Sequence, residues 1–175
     1  ITRAEEVEQP YSLAVALAYA SITHQLLRDG EATAHFAERT MELCTRYDFA
    51  YYREWGSLLS GWSLGGDAGA ARIREALDAL QAQGAYARRP YYLSLLAETL
   101  LDAGETDRAG AVLDDALGAA TERDDLWWSP ELLRLRARAA EPAQRADLLQ
   151  QARSTASWHG SVTLLERIDA DLANL

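Results

Sequence analysis

The sequence predicts an all-α fold in which antiparallel helix pairs follow one another along the chain. Alanine and leucine dominate a composition that is 49% hydrophobic and 25% charged, and both residues favour helix. Apolar residues recur at helical spacing in segments that only a few turn residues separate. The 175 residues are enough for about four such pairs at roughly 34–40 residues each.

The segment around Gly104 is the clearest helix pair. Glycine is a typical helix-ending residue because it adopts left-handed backbone angles without steric cost. The turn that follows is short, so the two flanking helices must lie side by side and antiparallel. Their apolar stripes consist of Leu93, Leu96, Ala97 and Leu100 before the turn and of Ala109, Val112, Leu113, Ala116, Leu117 and Ala120 after it.

Other helix boundaries follow from proline and glycine. Pro10, Pro130 and Pro142 mark helix starts, because proline fits the first turn of a helix, and Gly30 and Gly65 mark helix ends. No long linker interrupts the pattern, so a single helical repeat domain is expected. It is predicted to extend over residues 1-175, with helix pairs at 10-47, 49-84, 88-123 and 129-158 and a capping helix at 161-175.

Aromatic residues indicate the period of the repeat. They lie near the predicted start of the first helix of each pair, at intervals of about 40, 40 and 36 residues. These residues are Tyr11, Tyr51-Tyr52, Tyr91-Tyr92 and Trp127-Trp128. A period of this length with two helices per unit indicates a solenoid and not a bundle.

Charge and residue usage exclude several partners. The formal net charge of −10 and the sequence pI of about 4.7 argue against nucleic acid, which needs a basic face, and all 17 basic residues are arginine. No apolar run approaches the roughly 18 residues of a membrane helix, so no membrane contact is expected. The start at Ile1 has no signal-peptide pattern, and the single Cys44 forms no internal disulfide, so a cytoplasmic location is expected.

The sequence predicts no catalytic centre, no metal site and no cofactor. His24, His35 and His159 have no metal-ligand spacing among them, and Cys44 falls on the apolar stripe of its helix. No serine lies in a Gly-x-Ser-x-Gly turn. The chain itself is therefore expected not to be an enzyme.

Two pairs of like charges share a helix face at a spacing of four residues. Glu98 and Asp102 repel each other unless a cation lies between them, so they indicate either a site for a cationic group or a hydrated surface. Arg134 and Arg138 indicate either a site for an acidic partner or an ordinary solvated face.

Several segments resemble a known repeat family. The pattern Leu96-Ala97, Gly104, Ala109 and Ala116 resembles the tetratricopeptide consensus, in which small residues lie where the two helices cross. Three segments also resemble the divergent tetratricopeptide region of large bacterial signalling proteins. They are residues 10–25 (PYSLAVALAYASITHQ), 55–64 (WGSLLSGWSL) and 89–98 (RPYYLSLLAE).

The resemblance, which extends roughly over residues 10–165, implies a tetratricopeptide-like α-α superhelix of about four helix pairs plus a C-terminal capping helix. The signalling proteins of this kind join a STAND-type ATPase module to a class III adenylate or guanylate cyclase domain or to a LuxR-type DNA-binding domain. The resemblance therefore implies a regulatory arm. It implies no chemistry in this chain, because a chain without lysine has no Walker A motif.

In a superhelix of this family, the first helix of each pair lines a concave groove. The resemblance therefore implies a set of side chains that would face a bound ligand or peptide. They are Tyr52, Trp55, Tyr91, Ser94, Glu98, Asp102 and Trp128. Tyrosine and tryptophan are common binding hot spots, and the alternative is that these rings join adjacent repeats.

The leading hypothesis is a protein-interaction and regulatory domain that binds a peptide, a partner domain, a neighbouring domain of the same chain or a second copy of itself. Binding energy would then bias an attached signalling module between states. One alternative is a small-molecule sensor with an aromatic-lined pocket. Another is a scaffold that only dimerises other domains.

Overall fold

The computed structural model describes residues 9–175. The predicted start of the domain and the segment predicted to have no signal-peptide pattern fall on residues 1–8, which lie outside the described residues. The predicted all-α class is confirmed, since residues 9–175 form nine helices and no strand. None of these helices is both long and apolar enough to cross a bilayer. They are α1 (Pro10–Leu26), α2 (Gly30–Tyr47), α3 (Ala50–Leu64), α4 (Gly66–Ala82), α5 (Arg89–Asp102), α6 (Thr106–Glu122), α7 (Ser129–Ala139), α8 (Pro142–Trp158) and α9 (Val162–Ala173).

Helix ends recur with one geometry. At Gly104, φ is +79°, the Gly104 N–H donates to the Leu101 carbonyl at 3.0 Å, and the Glu105 N–H donates to the Leu100 carbonyl at 2.9 Å. This is a Schellman turn, which satisfies carbonyls that the helix leaves free. The predicted role of Gly104 is thus confirmed. The same two bonds and a positive φ occur at Arg28, Gly84, Asp124 and Gly160.

The first of these turns differs from the prediction. Helix α1 ends at Leu26, Arg28 takes the left-handed conformation with φ of +65°, and Gly30 begins α2 instead of closing α1. The reason lies in Asp29, whose side chain accepts a hydrogen bond from the Ala32 N–H at 3.0 Å. An aspartate N-cap satisfies a free N–H of the next helix, and this fixes where α2 starts.

The described chain divides into two compact units, the first ending at Tyr86 and the second formed by residues 87–175. In unit 1, α1 packs on α2, α2 on α3 and α3 on α4, and α1 also contacts α3. Glycines allow the closest of these approaches. A Cβ atom at Gly69 on α4 would lie 2.3 Å from the Gly61 carbonyl oxygen on α3, and one at Gly56 would lie 2.8 Å from Met41 Cγ on α2.

Unit 2 contains α5 to α9. Helix α5 packs on α6 and α7, α7 packs on α8, and α9 packs mainly on α8 with a smaller contact to α7. Every residue from 90 to 100 is buried, so α5 is the most buried helix of this unit. The predicted apolar stripe at Leu93, Leu96, Ala97 and Leu100 is part of it.

The helix starts correct the predicted period. The first helices of the four pairs begin at Pro10, Ala50, Arg89 and Ser129, so successive starts lie 40, 39 and 40 residues apart. The 36-residue interval came from matching Tyr91, which lies inside α5, with Trp127, which precedes α7. Counting 40 residues onward, Tyr91 corresponds to Glu131 and Ser94 to Arg134. The superhelix and the single domain remain predictions.

Candidate functional site

The first helices of unit 1 carry exposed aromatic rings that we call the tyrosine face. It consists of Tyr11 and Tyr19 on α1 and Tyr51 and Tyr52 on α3. Tyr11 is 56% exposed and Tyr19 is 44% exposed, and the other two are half-buried. The rings of Tyr11 and Tyr52 lie 5.8 Å apart and those of Tyr51 and Tyr52 lie 5.2 Å apart, both pairs edge to face. The face is therefore continuous across the two helices.

Trp55 forms the floor of the tyrosine face. Its side chain is 1% exposed, and the rings of Tyr19, Tyr51 and Tyr52 lie 5.5, 5.3 and 5.2 Å from its ring. Two residues that the sequence predicts for the groove, Tyr52 and Trp55, thus contact each other. Burial, a hydrogen bond with Tyr11 and nearby tyrosines raise the pKa of Tyr52 to about 12, so its hydroxyl remains a donor at neutral pH.

In unit 2, the predicted residues Tyr91, Ser94 and Trp128 meet at the junction of α5 and α7. The Trp128 indole N–H donates to Ser94 Oγ at 2.9 Å, and the Ser94 hydroxyl donates to the Tyr91 carbonyl at 2.6 Å. The Tyr91 and Trp128 rings lie 5.4 Å apart, edge to face. All three side chains are buried, so in this structure they join successive helix pairs. Their use as a binding surface remains a prediction.

Glu98 and Asp102 lie in different environments. Glu98 is 3% exposed, whereas Asp102 is at the surface. Arg138 on α7 donates to the Asp102 carboxylate at 2.8 Å, so Asp102 has a cation of the chain itself as its partner. The sequence predicts for Arg134 and Arg138 either an acidic partner or an ordinary solvated face. The observed partner of Arg138 is an exposed carboxylate, and exposed pairs contribute at most about 1 kcal/mol.

A buried ion network links α7 and α9, and sequence reasoning missed it. The Arg134 guanidinium donates two hydrogen bonds to the Glu131 carboxylate, both at 2.8 Å, and one to Asp171 at 2.7 Å. Burial alone lowers the pKa of Arg134, but the bonds and charges of Glu131 and Asp171 outweigh it and hold that pKa above its usual value. The 40-residue spacing of the helix pairs could have indicated this network. Forty residues after the buried Tyr91 and Ser94 come Glu131 and Arg134, so two charged residues are expected at buried positions.

Chemically reactive side chains are sparse in the part of the chain that the structure describes. There, no three His, Cys, Asp or Glu side chains are grouped as metal ligands would be. Cys44 is fully buried, and burial raises the pKa of its thiol to about 11, which leaves little thiolate at neutral pH. His24 stacks on Phe36 with ring centres 5.2 Å apart. The arrangement thus offers contact surface and ion pairs.

Comparison with known proteins gives one informative similarity. No protein-family model matches the chain. The chain is 32% identical over 149 residues to an uncharacterized protein of Rhizobium meliloti (strain 1021), an alignment that includes 79% of this chain and 14% of that protein. The chain therefore spans about one seventh of the length of that relative. The similarity identifies a much longer protein with a related region, and it assigns neither an activity nor a ligand.

Proposed function

We propose that this chain is a protein-interaction domain with a tetratricopeptide-like arrangement, and that its tyrosine face holds a peptide or a partner domain. The observation that carries the proposal is the exposure of Tyr11 and Tyr19 beside the half-buried Tyr51 and Tyr52. Four tyrosines on two neighbouring helices form a larger aromatic surface than isolated exposed residues do, and contiguous patches of this kind mark interaction sites.

The chemistry of the face suits a protein partner. Tyrosine brings a large contact area with only two side-chain torsions to restrict, and its hydroxyl bonds to backbone groups of a partner. Trp55 supports the rings from below, and the ring contacts limit their movement before binding. A surface that is already ordered loses less entropy on association, which favours affinity.

The position of the face agrees with the family resemblance. Helices α1 and α3 are the first helices of their pairs, and in tetratricopeptide superhelices the first helices line the concave groove. The alternative of a small-molecule pocket lined by aromatic side chains stays a prediction. Within the described residues, a cavity of about 160 Å³ in unit 1 and another in unit 2 have no aromatic side chain in their lining.

The regulatory part of the proposal rests on the longer relative and on the resemblance to STAND-type signalling proteins. In that relative, the matching region is about one seventh of the length, and partner binding to such a region would be transmitted to other modules of the same chain. Partner binding would stabilise one state of the attached module by the difference in affinity for its two states. Both a cyclase and a DNA-binding regulator remain compatible with this proposal.

The test begins with the oligomeric state. Light scattering during size-exclusion chromatography over a concentration series separates a dimer from a monomer. A dimer that Tyr11→Ser with Tyr19→Ser dissociates would identify a second copy as the partner. Trp158→Ser is the matched control, because Trp158 is 85% exposed on α8 but lies outside the tyrosine face.

For a monomer, a displayed peptide library is selected on the immobilised chain. We expect enriched peptides to bind the native chain and the Trp158→Ser variant alike, and to lose at least tenfold in affinity for the double tyrosine variant. Removing two hot-spot rings has this magnitude, about 1 kcal/mol or more for each ring. A monomer that enriches no peptide, or peptides that bind the double variant equally well, would refute the proposal.

A further inference from the structure

Unit 2 contains a cavity of about 160 Å³ that the tyrosine face does not explain. Three arginines line it, Arg134 and Arg138 from α7 and Arg145 from α8. Ala137 and Leu149 form an apolar part of its wall. A small amphipathic acid needs a positive charge for its carboxylate and an apolar surface for the rest of the molecule, and this cavity has both.

Two of the three guanidiniums are matched by carboxylates. Arg134 bonds to Glu131 and Asp171, and Glu131 also lies 3.9 Å from Arg167. Arg138 bonds to Asp102. These ion pairs balance the charges of Arg134 and Arg138, and the third arginine of the cavity is Arg145.

Arg145 is different, because its bond within the described residues is to a neutral group. Its Nε–H donates to the Ala140 carbonyl at 3.0 Å, and no carboxylate of residues 9–175 pairs with it. That bond uses the Nε–H of the exposed Arg145 and leaves the N–H groups of both terminal nitrogens for another acceptor. One guanidinium without a carboxylate partner fits a single negative charge. Asp171 also lines the cavity, where its carboxylate accepts a hydrogen bond from Arg134.

We propose that this cavity binds the carboxylate of a small amphipathic acid. Arg145 donates to the carboxylate through its terminal N–H groups, a geometry that the planar guanidinium matches. Arg138 adds a second donor, since its pair with Asp102 is exposed and weak. The apolar part of the acid packs on Ala137 and Leu149. The site lies in unit 2 and does not depend on the proposed function of the tyrosine face.

Two sources supply such a group, a free short-chain acid and the terminus of a polypeptide. Isovalerate represents the first and N-acetylleucine the second, and N-acetylleucinamide is the control that lacks the charge. Binding is measured by calorimetry and by saturation-transfer NMR near neutral pH. Because Leu175 also lines the cavity, the titration is repeated on a chain with a short glycine extension after Leu175.

We expect millimolar or tighter binding of at least one acid and none of the amide. Arg145→Gln should weaken binding about tenfold, which is the worth of a charge-assisted hydrogen bond. Arg138→Gln should weaken it a few-fold, and Arg74→Gln on α4, which removes the same charge from unit 1, should leave it unchanged. Binding of isovalerate alone identifies a free acid, and binding of N-acetylleucine alone identifies a chain terminus.

Three results would overturn the site: neither acid binds, the amide binds as well as the acid, or both arginine variants bind like the native chain. Unfolding midpoints of the variants show whether each is folded. Arg138→Gln keeps the test decisive even if Arg145→Gln loosens the start of α8.

Discussion

The glycine contact between α3 and α4 leads to a test in which the same substitution has opposite effects at two sites. An alanine Cβ at Gly69 would lie 2.3 Å from the Gly61 carbonyl oxygen, and real Cβ atoms essentially never approach closer than 3.0 Å. The neighbour is backbone, so no side-chain rotation relieves the overlap and the two helices must move apart. At Gly118 on α6, no heavy atom lies within 4 Å of the added Cβ.

The expected magnitudes follow from two opposing contributions. Alanine is favoured over glycine inside a helix by about 1 kcal/mol, and this gain applies at both positions. Overpacking typically costs about 1–3 kcal/mol or more, and a backbone overlap at 2.3 Å lies at the upper end. Gly118→Ala should therefore raise the free energy of unfolding by about 1 kcal/mol, and Gly69→Ala should lower it by about 2 kcal/mol.

Urea denaturation followed by far-UV circular dichroism measures both variants. In thermal melts the same changes correspond to a gain of about 2–4 °C for Gly118→Ala and a loss of about 4–8 °C for Gly69→Ala. Gly61→Ala should also destabilise, since its Cβ would lie 2.7 Å from Ile73 Cγ1 and 2.9 Å from the Gly69 carbonyl. If Gly69→Ala proves as stable as the native chain, the close crossing of α3 and α4 is wrong.

Three further predictions concern titration, backbone conformation and the buried ion network. The pKa of Cys44 is raised from 9.0 to about 11, because burial favours the neutral thiol in the folded state. The stability that this preference contributes is complete below pH 9 and is lost as the pH rises towards 11. In urea titrations over this range, Cys44→Ala should lose less stability than the native chain, by up to about 3 kcal/mol. Asp124 has φ of +54°, so Asp124→Gly should raise the thermal midpoint by an amount equivalent to about 0.5–1 kcal/mol, and Gly104→Ala should lower it similarly. Glu131→Gln should cost about 3 kcal/mol of unfolding free energy, because it leaves the buried Arg134 poorly matched, whereas replacing both residues by apolar ones should cost much less.

Local rules of the sequence predicted the helices well. Pro10, Pro130 and Pro142 each lie in the first turn of a helix, and Gly104 has the left-handed conformation that its position required. These signals depend only on the conformation of one residue and its immediate neighbours. Gly30 was misassigned because Arg28, a residue without a preference for positive φ, takes the left-handed position that glycine usually holds.

Long-range partners were harder to predict. Ser94 and Trp128 are 34 residues apart, and helical periodicity indicates only that each lies on a face, not which residue it meets. Matching aromatic residues also gave the wrong alignment for the fourth helix pair. The observed helix starts align Tyr91 with Glu131. The exposed Tyr11 and Tyr19 were not singled out as a surface, because a pattern of one sequence does not say which apolar residues remain uncovered.

Unit 2 has an aromatic junction between α5 and α7 and an ionic junction between α7 and α9, and the two respond to different conditions. The α5–α7 junction at Tyr91 and Trp128 is held by ring burial, so its strength depends on temperature through the heat capacity of apolar hydration. The α7–α9 junction at Arg134 and Asp171 is held by charge, with Asp171 partly open to solvent, so dissolved salt weakens it. Heating reduces the desolvation cost of that ion pair. The terminal helix α9, which packs mainly on α8, therefore has a contact to α7 that ionic strength weakens, while the inner junction responds mainly to temperature.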